Sequence, residues 1–230
     1  MFVVLFIFNL NLSFPKDSYK TIRNDSKYLI SAPTRWDLLS YLRILGMSTA
    51  VLSTGYFDED IHDFVQSRKT NWDYIIVNLA HFGGENGAVL VGAFYLSSLY
   101  IWGAIKEDES LKRFAFKSAE AVAYMGIIIG IIKVLVGRNR PDFSNSAYVF
   151  TPPGLDDEKE SFPSGHAGLA FALATSTARR YKNPVVRTFA YGLATLVALS
   201  RVYRARHWPS DILAGAIIGT SVAHCVFNSR

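Results

Sequence analysis

The sequence predicts an all-α protein: a six-helix transmembrane bundle with its active site at one membrane face. Three observations carry that prediction. Apolar segments long enough to be helices dominate the map, charge is distributed unequally between the loops joining them, and polar clusters interrupt them at one side only. Half of the 230 residues are hydrophobic and 14% are aromatic, which excludes a disordered chain. The single cysteine, Cys225, excludes an internal disulfide framework. The net charge of +5 comes without a long Lys/Arg run. That balance suits an acidic small molecule, a phosphate or an anionic membrane surface better than a nucleic-acid groove.

Taken in order, residues 1–14 (MFVVLFIFNLNLSF) form an apolar segment with two readings, a signal peptide or an anchor. It lacks the basic leading region that signal peptides carry. Residues 15–37 are a basic stretch with Lys16, Lys20, Arg23, Lys27 and Arg35. Residues 38–230 read as a single domain with six helical spans. These are LLSYLRILGMSTAVLSTGY, NGAVLVGAFYLSSLYIWGAI, FAFKSAEAVAYMGIIIGIIKVLVG, AGLAFALATSTA, VVRTFAYGLATLVALS and DILAGAIIGTSVAHCVF. Length, Ala/Leu content and closely spaced small residues make them helices. The second, Asn86 to Ile105, carries no charge and is long enough to cross a bilayer. Two others are short, and Arg43, Lys117 and Glu120 lie inside segments, so a soluble helical core is the competing reading.

Charge asymmetry favours the membrane. If the six segments cross in turn, KEDESLKR (106–113) and ARRYKNPVVR (178–187) share a face with the basic stretch after Pro15. The acidic GYFDEDIHDF and PPGLDDEKE fall on the opposite face, which the positive-inside rule makes the outer one.

Three polar clusters fall on that outer face. The first is KVLVGRNRPDF, with Lys133, Arg138 and Arg140 at a helix end and Pro141 stopping it. Snorkelling to the interface accounts for such cations equally well. The second is SFPSGHAGLAFA, where Ser164 fits an N-cap and Gly165 a tight entry. A helix start also offers unpaired N–H groups to a phosphate, and His166 placed there could exchange a proton near neutral pH. The third is SRVYRARHWPSD, with Arg201, His207 and Asp211 around a turn and Pro209 opening a helix. Asp211 can complement the helix N-terminus, or it can accept the Nδ1 hydrogen of His207 and leave Nε2 as a nucleophile. Arg204 and Arg206 receive no catalytic role, and His62, His81 and His224 read as structural or surface groups. Three cations and two histidines at one face are costly together unless an anion neutralises them, which points to a phosphoryl site.

Lys133-x6-Arg140-Pro141, Pro163-Ser164-Gly165-His166 and Ser200-Arg201-x5-His207-x3-Asp211 together resemble the three-part signature of the type 2 phosphatidic acid phosphatase superfamily, in its membrane-bound branch. The resemblance covers roughly residues 133–211 with apolar flanks, and leaves residues 1–35 outside. It implies that His207 attacks phosphorus to give a phosphohistidine and that Asp211 fixes its tautomer. It implies that His166 protonates the leaving oxygen and later helps activate water. Lys133, Arg140 and Arg201 would bind the phosphoryl oxygens with the Ser164 hydroxyl and the Gly165 N–H. No metal and no cofactor are implied, since fixed cations can supply the charge stabilisation.

The expected function is therefore a metal-independent lipid phosphate or pyrophosphate phosphatase in a bacterial inner membrane, facing the periplasm or exterior. Its partners would be the membrane and a phosphorylated lipid, with no nucleic acid. Isoprenyl pyrophosphate, phosphatidic acid, phosphatidylglycerol phosphate and lipid A phosphate are the candidate substrates. The same pocket also serves soluble acid phosphatases and vanadate-dependent haloperoxidases, which are the alternatives. A non-enzymatic phospholipid-binding membrane protein would use the cations but leave His166 and the His207–Asp211 pair without purpose. Phe143, Tyr148, Phe150, Phe162 and Trp208 fit either an interfacial belt or a lipid entrance. The sequence sets no oligomeric state.

Overall fold

The computed structural model describes residues 18–70 and 87–229, so the apolar segment 1–14 lies outside the described residues. Among them, helices make up the fold, and the one β-type pairing is an isolated antiparallel bridge between Arg138 and Phe150. The chain runs through α1 (Ser18–Ile30), α2 (Leu38–Tyr56), α3 (Asp58–Ser67), α4 (Gly87–Ile105), α5 (Glu109–Val136), α6 (Gly165–Arg180), α7 (Pro184–Tyr203) and α8 (Pro209–Asn228). Local chemistry sets the ends. Asp37, Asp108 and Asn183 cap α2, α5 and α7 by accepting N–H bonds from Ser40, Leu111 and Val185. Asp58, Glu59 and Asp60 place negative charge on the first turn of α3. Pro184 and Pro209 open α7 and α8 where no N–H partner is needed.

Helix α8 is the axis: α6, α5, α2 and α1 pack on it, and α6 in turn carries α7, α5 and α4. Ala121, Met125 and Ile129 of α5 meet Leu169 and Ala172 of α6 and Val222, Ala223 and Val226 of α8 in the buried core. The outer surface is inverted relative to a water-soluble protein. Val89, Leu90, Phe94 and Trp102 on α4, and Phe189, Leu193 and Leu199 on α7, are exposed. Contiguous exposed apolar faces of this kind are what lipid covers.

Four of the six predicted spans, α4, α5, α7 and α8, are long and apolar enough to cross a membrane. Two fall short. Ser, Thr and Arg43 dilute α2, and the 16 residues of α6 extend only about 24 Å against a hydrocarbon core of about 30 Å. The charges inside α5 turn toward neighbouring helices and away from lipid. Lys117 donates to the Val226 carbonyl at 2.9 Å and lies 3.6 Å from buried Asp25, while Glu120 is buried. Arg43 is exposed.

Candidate active site

The site forms where α5 ends and α6 and α8 begin. Gly137 closes α5 at φ 57°, with its N–H on the Lys133 carbonyl at 2.9 Å. A Cβ there would press within 2.6 Å of the Thr151 carbonyl oxygen, so both the left-handed backbone and the contact require glycine. The chain then passes between two limbs of the 141–161 loop: Asn139 N–H bonds the Val149 carbonyl at 3.0 Å and Arg140 N–H the Glu158 carbonyl at 2.8 Å. Lys133 donates to the Glu160 carbonyl. The buried Arg140 guanidinium pairs with exposed Asp157 at 2.8 Å, and Arg206 ties Asp157 to Asp142 at 2.6 Å each. The loop is thereby strapped across the cations.

Ser164 is fully buried and caps α6, accepting from the Ala167 N–H, so it takes the structural role and keeps its own hydroxyl proton to donate. Its backbone N–H bonds the Asp211 carbonyl at 3.0 Å, which pins the start of α6 to the start of α8. Gly165 and His166 share a cavity wall with Lys133. A Cβ on Gly165 would meet nothing within 4 Å, so the space beside this helix start is open. From there an apolar groove of about 760 Å³ runs between α4, α5 and α6, past Leu96, Met125, Gly126 and Ala119.

Arg201, in the last turn of α7, and His207, in the turn after it, are 1% and 2% exposed. The imidazole Nδ1 is 2.7 Å from the Ser161 carbonyl oxygen. A carbonyl only accepts, so Nδ1 carries the proton and a neutral ring keeps its lone pair on Nε2. Burial, then the charges of Lys133, Arg140 and Arg201, hold the His207 basicity well below the usual 6.5. The three cations predicted from separate motifs thus converge on one histidine.

Of the two roles open to Asp211, the structure shows the one at the helix start, where it accepts the Trp208 N–H, and not the one on His207. Its carboxylate lies 3.9 Å from His207 Nδ1, too far for a hydrogen bond. It is already committed: one oxygen takes Arg138 Nη1 at 2.6 Å, and the other takes the Trp208 N–H at 2.8 Å and the Ser161 hydroxyl. Direct orientation of the imidazole falls to Ser161. Trp208 also differs from the belt reading: it is buried, donates to the Asn139 carbonyl at 2.9 Å, and packs 5.2 Å from the His62 ring. Phe143, Tyr148 and Phe150 do stay exposed. Sequence reasoning gave no role to Arg138, Asp58 or Ser161. Arg138 stood out only as a neighbour of Arg140, and Asp58 as one acid in an acidic segment.

The family model of the PAP2 superfamily matches residues 114–230, and the chain belongs to that superfamily. Among curated relatives, lipid A 1-phosphatase of Porphyromonas gingivalis is 30% identical over 140 residues, covering 60% of this chain and 28% of the relative. Undecaprenyl-diphosphatase of Sulfolobus acidocaldarius is 32% identical over 106 residues, 43% of this chain and 47% of the relative. The chain spans less than half the length of the first curated relatives it matches. In fold it is similar to the transmembrane PAP2 type phosphatidylglycerolphosphate phosphatase of Bacillus subtilis, with TM-score 0.54 and 19% identity over 91% of this chain and 94% of that one. With that membership and its lipid-facing helices, the chain is an integral membrane protein.

Proposed function

We propose that residues 38–230 form one phosphatase domain that hydrolyses phosphorylated lipids at the outer face of a bacterial inner membrane, with α2 and α6 completing six spans. The observation that carries the reading is that Lys133 and the buried His207 bond the adjacent Glu160 and Ser161 carbonyls, beside an apolar groove that Lys133 and His166 line. Neutral His207 presents Nε2 to phosphorus. Its lone pair forms the N–P bond as the P–O bond to the lipid breaks, and His166 gives the leaving oxygen a proton. Water then attacks the phosphohistidine, His166 takes its proton, and phosphate leaves with His207 restored. Lys133, Arg140 and Arg201 stabilise the equatorial oxygens, with the Ser164 hydroxyl and Gly165 N–H. The same three charges repel a divalent cation, so they take the place of a metal.

The groove offers no polar group to read a headgroup along most of its length, which suits an acyl or isoprenyl chain. The named relatives act on lipids that differ in the tail and agree in the phosphoryl end. Lipid A phosphate, an isoprenyl diphosphate and glycerophospholipid phosphates are the substrates to compare.

The test is phosphate release by the detergent-purified full chain in excess chelator. Its panel pairs phosphatidic acid and an isoprenyl diphosphate with a soluble aryl phosphate. Release from a lipid that persists in chelator and disappears in His207→Ala is expected. Release from the aryl phosphate alone would instead make the protein a general acid phosphatase. No release by folded protein would overturn the reading in favour of vanadate chemistry or simple lipid binding.

A further inference from the structure

Arg138 lies outside the family signature and is buried, at 4% exposure, with every donor engaged. Its Nε and Nη2 bond the Ala147 carbonyl at 2.9 and 2.8 Å. Nη1 bonds Asp211 at 2.6 Å and the Ser210 hydroxyl at 2.8 Å, and Nη2 bonds Asp58 at 2.7 Å. Asp58, at 0% exposure in the first turn of α3, also accepts the Ser210 N–H at 2.8 Å and its hydroxyl. Two carboxylates share one guanidinium, far from water. Removing one member of such a group leaves an uncompensated buried charge, so the arrangement is rigid. It continues to the nucleophile: Asp211 takes the Ser161 hydroxyl, and the Ser161 carbonyl takes His207 Nδ1. Ser161 N–H returns to the Arg138 carbonyl at 3.0 Å.

We propose that Asp58 and Arg138 are positioning residues for the nucleophile: they clamp Asp211, which holds Ser161, whose carbonyl fixes the His207 tautomer. The proposal rests on His207 being the nucleophile for its kinetic consequences, but not for its tautomer. Asp58 belongs to a segment distant in sequence from the three motifs, so α3 completes the site from outside it. Lysine cannot reproduce the fork that reaches Asp58, Asp211 and Ala147 together.

The experiment uses the full chain labelled with ¹⁵N-histidine in nanodiscs, and assigns the His207 ring nitrogens by their loss in His207→Ala. The wild type should show a single Nδ1–H tautomer. Asp58→Asn and Arg138→Lys should show exchange between the two tautomers. Where turnover is measured, kcat should fall about 10- to 100-fold, the range for a displaced reacting group. The inhibition constant of inorganic phosphate should stay within about threefold, because Lys133, Arg140 and Arg201 are untouched. An unchanged tautomer in a folded variant overturns the proposal, as does a parallel loss of phosphate affinity and kcat. Should both variants fail to fold, Ser210→Ala keeps all three charges and loosens the clamp by one hydroxyl. It should lower kcat about two- to fivefold with partial tautomer exchange, by analogy with the loss of one hydrogen bond; a tautomer identical to wild type refutes the clamp. Absence of turnover in the wild type would defeat the phosphatase reading alone, since the nitrogen spectra still decide the clamp.

Discussion

Glycines of α8 and glycines of α5 face opposite situations within the same bundle. A Cβ on Gly215 would run into the Ser164 carbonyl, and one on Gly219 into the Gly168 carbonyl, because α6 and α8 touch backbone to backbone. A Cβ on Gly126 or Gly130 would meet nothing within 4 Å. Gly126 and Gly130 line the apolar groove instead. The first pair brings Ser164 against Asp211 and so sets the site's dimensions. The second leaves room for a hydrocarbon chain. One residue type therefore makes both the tightest and the emptiest surfaces, and the difference separates a packed helix contact from an open apolar groove, the part that admits the lipid under the proposed function.

Substitutions at these positions sharpen the contrast. The largest effect is expected from Gly219→Val, whose branched side chain must displace helix backbone. The loss should exceed the about 1–3 kcal/mol of ordinary overpacking, seen as a collapse of folded yield and Tm. A variant of wild-type Tm would show that α6 and α8 separate freely. Next comes the cradle those helices hold. Arg201→Gln should lower the rate on a soluble aryl phosphate by about two orders of magnitude, the scale for one lost oxyanion donor.

The same variant carries a pH signature. The His207 basicity is held below 6.5, so the acid limb of kcat/KM should lie below that value, and removing one cation should move it up toward 6.5. Titration of the substrate itself is common to both proteins and cancels in their ratio. The stability linkage has a definite sign. Below about pH 6.5 the unfolded chain takes a proton that folded His207 refuses. Stability from this group is thus full above about 6.5 and declines as the pH falls; chemical denaturation at pH 7.5 and 5.5 should differ in that direction, and less so in Arg201→Gln.

Gly126→Phe should obstruct the groove. KM for a long-chain lipid phosphate should rise about tenfold, while an aryl phosphate, which needs no groove, should be unaffected. Equal effects on both substrates would place the tail elsewhere. The smallest change is Gly130→Ala. With space beside it and a helix interior around it, the variant should gain up to about 1 kcal/mol in stability, opposite in sign to any alanine at Gly219.

Much of this molecule is written locally. Asp37, Asp108 and Asn183 fix helix starts through bonds to N–H groups two or three residues away, a local effect that the sequence reading identified only at Ser164 and Asp211. Lys133, Arg140, His166, Arg201 and His207 are legible because few apolar segments tolerate such groups without a task. Neither signal reports which buried groups pair. The residues left Asp211 two roles, at the helix start or on His207, and the family resemblance favoured His207. The structure gives Asp211 to Arg138 and Ser161, and places Asp58 on Ser210, 152 residues away. The sequence counted the short α6 as a span but did not show that it is packed between α8, α7, α5 and α4, which makes polar Thr175 and Ser176 core residues.

By itself, the sequence determined six of the eight α-helices among the described residues, their apolar character and the chemistry available at one end, because periodicity and residue type act within a turn or two of chain. The basic stretch and the acidic connection it left unassigned fold as α1 and α3. Only the tertiary structure decided which glycines face packed backbone and which face open space, which carbonyl sets the His207 tautomer, and which two carboxylates Arg138 serves. Those are outcomes of burial: away from water each polar group must take a partner from whatever helix packs beside it, and that neighbour is fixed by the fold and not by proximity along the chain.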